Sequence, residues 1–298
     1  MEFKPIELAD RPRFEEKLSG REYRLGTYDF NNLYMWRNWD PYLVAELGAA
    51  LVVRSDYRQP SSYLVPITPD DGELLRATEG LMELCREEGR PFALIEVCEG
   101  AKALYERAWP GRFEFTEFPA GANYVYYQKD LATLSGHKYN SKRNHLRQFE
   151  RACPGWELQP IGPDNVEACR ELEWKWFKGH ILNGEVEREH NGVLDALEHL
   201  EQLDCTGAAL LWQDRAVAFT VGGRLNADTA AIHIEKADPD IPGSFQAINC
   251  FYVREYCGWA TYINRAEDMG DPGLRRAKQS YHPCRMEKKY LLKLRQEP

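Results

Sequence analysis

Apolar residues recur along this chain with two periods, and the periods alternate in blocks. Two short helices are expected first, around 11–18 and 29–37. Asp29 is placed to cap the second, ahead of Phe30, Leu33 and Trp36 at helical spacing. Three short β-rich runs follow, YLVAEL at 42–47, AALVVR at 49–54 and SYLVPI at 61–66, separated by Gly48 or polar turns. Leu74, Leu75, Leu81, Met82 and Cys85 then predict a helix over 71–88, stopped by Gly89. A strand at 92–97, a helix near 99–108 and a strand at 123–128 complete this part.

The second part repeats the order. A helix is expected over 163–181, with Pro163 at its start and Val166, Cys169, Leu172 and Trp176 on one face. A second helix is expected over 191–203. Strands follow at 207–212, 216–223 and 229–235, then a helix over 244–257 ended by Gly258, then a strand at 260–265. Pro69 to Ile95 is 26 residues and Pro239 to Ile263 is 24, so the duplication is topological rather than a sequence repeat. Helix–helix–three antiparallel strands–helix–strand resembles the GNAT acyltransferase fold. Two such units in one chain resemble the Fem-type aminoacyl transferases. The expected fold class is α+β (mixed α/β), as two tandem GNAT-like domains. Residues 1–135 form the first, 136–160 a basic connecting helix and linker, and 161–298 the second, which carries the site.

Charge sharpens this picture. The chain has 298 residues and a formal net charge of −9, against a protein that wraps nucleic acid over its whole surface. Two segments run the other way. Residues 136–151 hold Lys138, Lys142, Arg143, Arg147 and Arg151 against Glu150, and residues 271–298 hold eight basic and three acidic side chains. An acidic body with two basic segments suggests one localised anion site. Eight cysteines lie far apart with no CxxC pair, and no apolar run approaches the roughly 18 residues that span a bilayer. The expected setting is the cytoplasm with reduced thiols and no integral membrane association. Cys250 and Cys257, seven apart on a helix, read as core.

Three segments carry a family resemblance. Tyr28-Asp29-Phe30-Asn31-Asn32-Leu33-Tyr34-Met35-Trp36, Lys138-Tyr139-Asn140-Ser141-Lys142-Arg143-Asn144-His145, and Ile263–Gly270 with Gly273-Leu274-Arg275 and Lys278-Gln279-Ser280-Tyr281-His282-Pro283 lie in order along the chain. They resemble motifs of a bacterial family of unassigned function (the DUF2156 group), similar to the C-terminal domain of phosphatidylglycerol lysyltransferases. The resemblance implies a tandem GNAT fold and acyl or aminoacyl transfer, with no substrate fixed. The Gly-rich pyrophosphate loop of acetyl-CoA-binding GNATs has no counterpart. Asp238 to Phe245 offers only Gly243, among two prolines that lack amide donors and two aspartates that repel phosphate.

The candidate chemistry sits mainly in the second half. His233 and Glu235 alternate with Ile232 and Ile234, so they share a strand face, and Glu235 is placed to take a proton from an attacking amine or hydroxyl. The other reading is a polar sheet face in solvent. Asn264 ends a strand; Glu267 and Asp268 follow in a loop; Arg275 and Lys278 lie on the next helix. There an acid would orient or deprotonate the nucleophile and Lys278 would stabilise the developing oxyanion or a phosphate. The other reading is a charge network that pins the C-terminal helix. Tyr281 is a pocket wall, a proton donor or core.

Lys142, Arg143 and Asn144 open an amphipathic helix whose apolar face is Tyr139, Leu146, Phe149 and Cys153 and whose outer side is cationic. That side suits phosphates, for example a tRNA, or is solvated. The assignment is thus catalytic Glu235, Glu267, Asp268 and Lys278, and substrate-binding Lys142, Arg143, Asn144, His233, Asn264, Arg275 and Tyr281. The first half, with few charges at its strand ends, is expected to brace the second. GxSxG, P-loop and GxGxxG motifs are absent, and no His pair has zinc spacing on one helix. The function expected is transfer of an activated acyl or aminoacyl group, with aminoacyl-tRNA or acyl-CoA as candidate donors, to a small amine or hydroxyl acceptor, with no certain cofactor. The alternatives are an acyl-CoA-dependent N-acyltransferase and a non-catalytic ligand-binding module.

Overall fold

The structure, a computed structural model, describes residues 1–18, 23–57, 59–180 and 184–295. The first elements are β1 (Lys4–Pro5), α1 (Arg11–Leu18), α2 (Phe30–Met35), β2 (Tyr42–Leu47), β3 (Ala50–Ser55), β4 (Ser62–Leu64), α3 (Asp71–Glu87) and β5 (Ala93–Val97). Then come α4 (Glu99–Ala108), β6 (Phe113–Glu117), β7 (Asn123–Tyr127), α5 (Gln128–Thr133), α6 (Asn140–Ala152), β8 (Glu157–Pro160), α7 (Val166–Lys178) and α8 (Gly184–Glu198). The chain ends with β9 (Thr206–Trp212), β10 (Arg215–Arg224), β11 (Thr229–Ala237), α9 (Ser244–Tyr256), β12 (Tyr262–Asn264), α10 (Pro272–Gln279), β13 (Arg285–Glu287) and β14 (Tyr290–Leu294). Among the described residues no helix is long and apolar enough to cross a membrane.

The chain forms two compact units, Met1–Asn123 with Glu267–Gly270 and Met286–Pro298, and Tyr124–Ala266 with Asp271–Arg285. Residues 136–160, expected as a connector, lie within the second unit as α6 and β8, and β14 completes the first. Each unit has a seven-stranded sheet, ordered β1-β2-β3-β4-β5-β14-β6 in one and β13-β7-β12-β11-β10-β9-β8 in the other. In the first unit β2, β3 and β4 are antiparallel and β4 pairs parallel with β5 after α3. In the second, β9, β10 and β11 are antiparallel and β11 pairs parallel with β12 after α9. This is the tandem GNAT arrangement. Both crossovers need a helix because parallel neighbours cannot be joined by a tight turn.

Several boundaries differ from the sequence reading for local reasons. The helix expected from Pro163 starts at Val166, because Asn165 ties the turn before it: its Oδ1 accepts from Gly162 N and its Nδ2 donates to Pro160 O. The expected end of that helix at 181 lies outside the described residues, as do 296–298 of the basic C-terminal segment. The helix expected at 191–203 runs Gly184–Glu198, with Glu185 and Glu187 in its first turn, where carboxylates complement the helix dipole. Strands β6, β8, β13 and β14 and helix α5 were not anticipated.

In the second unit α6 packs on α9. Phe149 and Cys153 are fully buried, and Trp156 stacks on Phe251 with centroids 4.5 Å apart and planes 5° apart. The close approach falls at Gly243, which has φ +82°; an added Cβ would stand 2.0 Å from the His145 carbonyl oxygen. Gly243→Ala therefore meets both a left-handed backbone and a backbone clash. It should lower unfolding stability by at least about 2 kcal/mol in chemical denaturation of the full chain. Gly258→Ala, where nothing lies within 4 Å, should change it by no more than about 0.5 kcal/mol. Equal midpoints for the two variants would refute this packing.

Candidate functional site

Strands β11 and β12 pair over only three residues, from Thr229↔Tyr262 to Ala231↔Asn264. Beyond that point β11 continues to Ala237 beside β10 alone, and the sheet splays. Two charged side chains meet at the parting. Arg265, directly after β12, donates from Nη2 to Glu235 Oε1 at 2.7 Å, and Asn249 of α9 donates from Nδ2 to Glu235 Oε2 at 2.9 Å. Arg265 Nη1 and Asn249 Oδ1 are buried with no hydrogen-bond partner.

Three more groups in the second unit complete the cluster. Lys142 donates from Nζ to Ser280 Oγ at 2.5 Å and stands 3.9 Å from the Tyr281 ring centroid. Arg265 lies 4.8 Å from the same centroid. Lys278 Nζ donates to the Arg265 carbonyl, and the Lys278 carbonyl accepts from Tyr126 OH at 2.8 Å. Lys142, Lys278 and Tyr281 are all buried. Burial, with Arg265 adding repulsion, pulls the Lys142 ammonium down to about 8. Burial likewise pushes the Tyr281 phenol up, so that ring is a neutral wall. Arg265 thus pairs with the Glu235 carboxylate, and Arg265 and Lys142 both lie against the Tyr281 ring, in a place largely closed to solvent.

The remaining expected residues are placed as follows. His233 sits where the β10–β11 register shifts, between Val221 and Gly222. Asn264 Oδ1 accepts from Ala266 N at 2.8 Å and shapes the turn in which Ala266 has φ +53°. Arg143 holds the carbonyls of Leu134 and Gly136, and Asn144, on the exposed side of α6, accepts from Arg147 Nη1 at 3.1 Å. Arg275 is half-buried on α10. The cationic outer side expected for α6 is smaller than its composition suggests, since Lys142 turns inward and Lys138 pairs with Asp130 at 3.1 Å.

Glu267 and Asp268 belong to the first unit. Glu267 Oε2 accepts from Asn123 Nδ2 at 2.8 Å and from Lys289 Nζ at 3.3 Å. Lys289 also lies 2.5 Å from Glu96 Oε2, which accepts from Thr27 Oγ1 at 2.7 Å. Burial opposes the Lys289 charge, but Glu267 and Glu96 hold its pKa above the ordinary lysine value. Glu96 has φ +59°, a strained conformation for a non-glycine residue at the end of β5. Asp268, 1% exposed, accepts from Gly270 N at 2.8 Å. The first half, expected to lack such a cluster, has a buried one. Arg265, Asn249, Glu96, Lys289 and Asn123 were missed. The available signal was an isolated charge beside an apolar strand, as in Ala-Leu-Ile-Glu-Val and Tyr-Ile-Asn-Arg.

The two crossover helices begin differently. Asp70 caps α3 by accepting from Glu73 N at 2.9 Å. Ahead of α9, Lys175 binds Asp238 and Asp240 at 2.7 Å each, and His145 closes on Gly243. A further ionisable cluster links α7, α8 and β11. Glu173, fully buried, meets His190 Nδ1 at 3.1 Å; Lys236 is buried at 2.7 Å from Glu189 and 3.6 Å from Glu173. Burial pushes the Glu173 carboxyl up to about 7, and burial with Lys236 lowers the His190 pKa.

Comparison with known proteins agrees with this architecture. Residues 21–293 match the family described as phosphatidylglycerol lysyltransferase, C-terminal. A conserved protein of unknown function from Bacteroides thetaiotaomicron is 35% identical, and its crystal structure superposes with a TM-score of 0.91 over 98% of this chain and 99% of that one. L-PGS from Bacillus licheniformis shares the fold at 16% identity, with a TM-score of 0.68 over 97% of this chain and 93% of that one. An uncharacterised protein from Mycoplasmoides gallisepticum is 27% identical over 179 residues, 59% of this chain; the match spans 57% of that relative's length.

The raised Glu173 pKa has a definite linkage sign. The native state holds a proton that the unfolded chain releases above its ordinary value of 4.5, so stability falls as pH rises from there to about 7. Glu173→Gln removes that charge. Between pH 5 and pH 8 the stability difference between variant and wild type should move in the variant's favour by about 2 kcal/mol. Denaturation curves at the two pH values test this; a constant difference would mean that Glu173 ionises as an ordinary carboxyl.

Proposed function

The chain belongs to the phosphatidylglycerol lysyltransferase C-terminal family, a family of aminoacyl-transferase type, and on that premise we propose that it moves an activated, tRNA-borne aminoacyl group to a small amine or hydroxyl acceptor. The observation that supports this reading is the buried Glu235–Arg265–Lys142–Lys278 cluster at the splay of the second sheet. Ester aminolysis or transesterification needs a proton acceptor for the nucleophile and positive potential for the tetrahedral oxyanion. In this reading the acceptor's nitrogen or oxygen attacks the ester carbonyl carbon and its proton passes to Glu235. Two of that carboxylate's lone-pair sites are engaged by Arg265 and Asn249, and others remain. Lys278 lies beside the developing oxyanion. Collapse breaks the ester C–O bond, and the departing ribose hydroxyl takes the proton back.

The Asp70 cap on α3, and the two aspartates and two prolines ahead of α9, weigh against the acyl-CoA alternative, because the first occupies amides, aspartates repel phosphate and prolines lack amide donors. The reading assigns proton transfer to Glu235 and leaves Glu267 and Asp268 to the first unit's own polar cluster. Contact with tRNA is assigned to Arg147 and Arg151, both exposed on α6.

Two measurements test it. Incubated with labelled aminoacyl-tRNAs and a low-molecular-weight cell extract, the protein should move label from tRNA to a small product. Glu235→Gln, which keeps an oxygen acceptor for Arg265, should slow that step by about a hundredfold or more in protein that circular dichroism shows to be folded. Failure of every aminoacyl-tRNA as donor, together with saturable stabilisation by acetyl-CoA, would overturn the proposal. Separately, tRNA affinity should fall steeply with salt. Reversing Arg147 and Arg151 to Glu should weaken it and reduce the log–log salt slope by roughly 1–2; an unchanged slope would remove α6 as the contact.

A further inference from the structure

We propose that Glu173 of α7 and His190 of α8 hold one proton between them, carried by the carboxyl, so that folding moves this proton from the histidine to the glutamate and keeps the attachment of α8 insensitive to pH across the mildly acidic range. The pair needs no ligand, and Lys236 beside it points to the opposite face of β11 from Glu235. The inference therefore stands independently of the transferase reading.

The first argument is the contact. Glu173 is fully buried and so is nearly all of His190. Glu173 Oε1 and His190 Nδ1 are 3.1 Å apart, a hydrogen-bond distance that takes one proton between them. Glu173 Oε2 and His190 Nε2 are buried with no hydrogen-bond partner. An ionised carboxylate offers about four acceptor sites and an imidazolium two donors, and burial would leave most of these unmet on charged groups. A carboxylic acid and a neutral imidazole make the same contact with no unmet charge.

The second argument is the nearest cation. Lys236 Nζ lies 2.7 Å from Glu189 and 3.2 Å from the Trp176 ring centroid, but 3.6 Å from Glu173 Oε2. Its charge is matched by Glu189, and it repels an imidazolium. The third argument is enclosure. His190 is the first buried residue of α8. Its ring stacks on Phe177 with centroids 4.2 Å apart and meets Trp174 at 4.3 Å, so aromatic carbon stands where water would solvate a charge.

The charged groups facing the pair are Lys236 from β11 and Glu189 from α8. Earlier on α8, Glu185 and Glu187 are exposed and Arg188 donates to Gly184 O at 2.8 Å. On α7, Lys175 binds Asp238 and Asp240, and Lys178 is exposed beside Trp174. β10, which also packs on α7, has no ionisable side chain from Ala216 to Gly223.

The linkage follows from these surroundings. Burial pushes the Glu173 carboxyl up to about 7, with Glu189 adding to it and Lys236 opposing it. Burial and Lys236 lower the His190 pKa from its ordinary 6.5. Neither cause lies in the other member of the pair. Taken singly, the raised carboxyl strengthens folding as pH falls from about 7 to 4.5, and the lowered imidazole weakens it as pH falls below 6.5. Between 4.5 and 6.5 the unfolded chain keeps its proton on the imidazole and the native chain keeps it on the carboxyl. Both states hold one proton, so the two slopes cancel.

The test begins with the full wild-type chain, labelled with 15N-histidine and 13C-glutamate, at pH 5.5. NMR should show His190 as a neutral imidazole and Glu173 as a carboxylic acid, the two signals being those absent from His190→Gln and Glu173→Gln. Chemical denaturation between pH 5 and pH 6 then compares slopes. Relative to wild type, the unfolding constant of Glu173→Gln should rise roughly tenfold per unit as pH falls, and that of His190→Gln should fall roughly tenfold per unit. The double variant should return to the wild-type slope. The proposal is overturned if Glu173 is a carboxylate or His190 an imidazolium at pH 5.5, or if either single variant keeps the wild-type slope. Where a variant fails to fold, the wild-type spectra, assigned by through-bond correlation, decide alone.

Discussion

A guanidinium held at the parting of two strands is the constraint on which the second unit's interior depends. Arg265 follows immediately on the last residue of β12 and has little freedom to reach water. Its charge is tolerable there because Glu235, on the part of β11 that has separated from β12, lies 2.7 Å away with Asn249 behind it. Breaking such a buried pair from one side costs roughly 3–5 kcal/mol, since the other charge stays behind. The neighbours are shaped by the same charge. Lys142 is easier to deprotonate partly because Arg265 repels its ammonium, and Tyr126 and Tyr281 enclose the group as neutral rings.

The first unit repeats the fold and reverses the charge. Its buried cluster has one cation, Lys289, and two carboxylates, Glu96 and Glu267. Glu96 occupies a left-handed conformation that costs about 1–3 kcal/mol. Hydrogen bonds from Thr27 to its side chain and from Tyr28 to its carbonyl, with the Lys289 ion pair, offset that strain. A strand end after a parallel pair carries the charge in both units: Glu96 within β5, Arg265 just past β12. Duplication kept the topology, and each copy then filled its own sheet end with different chemistry.

How much of this was legible in the residues depends on distance along the chain. The two strand–helix–strand crossovers and their meanders could be read because each is a local pattern of period two or 3.6. Asp29 and Gly89 could be read because caps act over one turn. Lys289 could not: Lys-Lys-Tyr ahead of a short strand reads as solvated charge, and its partner Glu96 lies almost two hundred residues earlier. Arg265 was passed over because Asn264, Glu267 and Asp268 beside it looked richer. Motif neighbours were also read as acting together. Lys142 and Arg143 are adjacent, yet a helix turns successive side chains by about 100°, so one faces Tyr281 and the other holds the carbonyls of Leu134 and Gly136.

The starts of the two crossover helices bear on the charged cluster. An anion cradled by backbone amides meets fixed dipoles whose strength does not change with pH. Ahead of α3 Asp70 takes up that option internally by accepting from Glu73 N; ahead of α9 Asp238 and Asp240 pair with Lys175, and the His145 carbonyl crowds Gly243. Positive charge in the second unit stands on side chains as well, and burial with repulsion from Arg265 pulls one of them, Lys142, down to about 8. A fold that places amides at the splay binds an anion at constant charge. An arginine beside a lysine of depressed pKa gives instead a charge that changes with pH. Proton movement is also what acyl transfer requires of its site, and a lysine drawn down to about 8 by burial and a neighbouring arginine is a group that can give or take one near neutral pH.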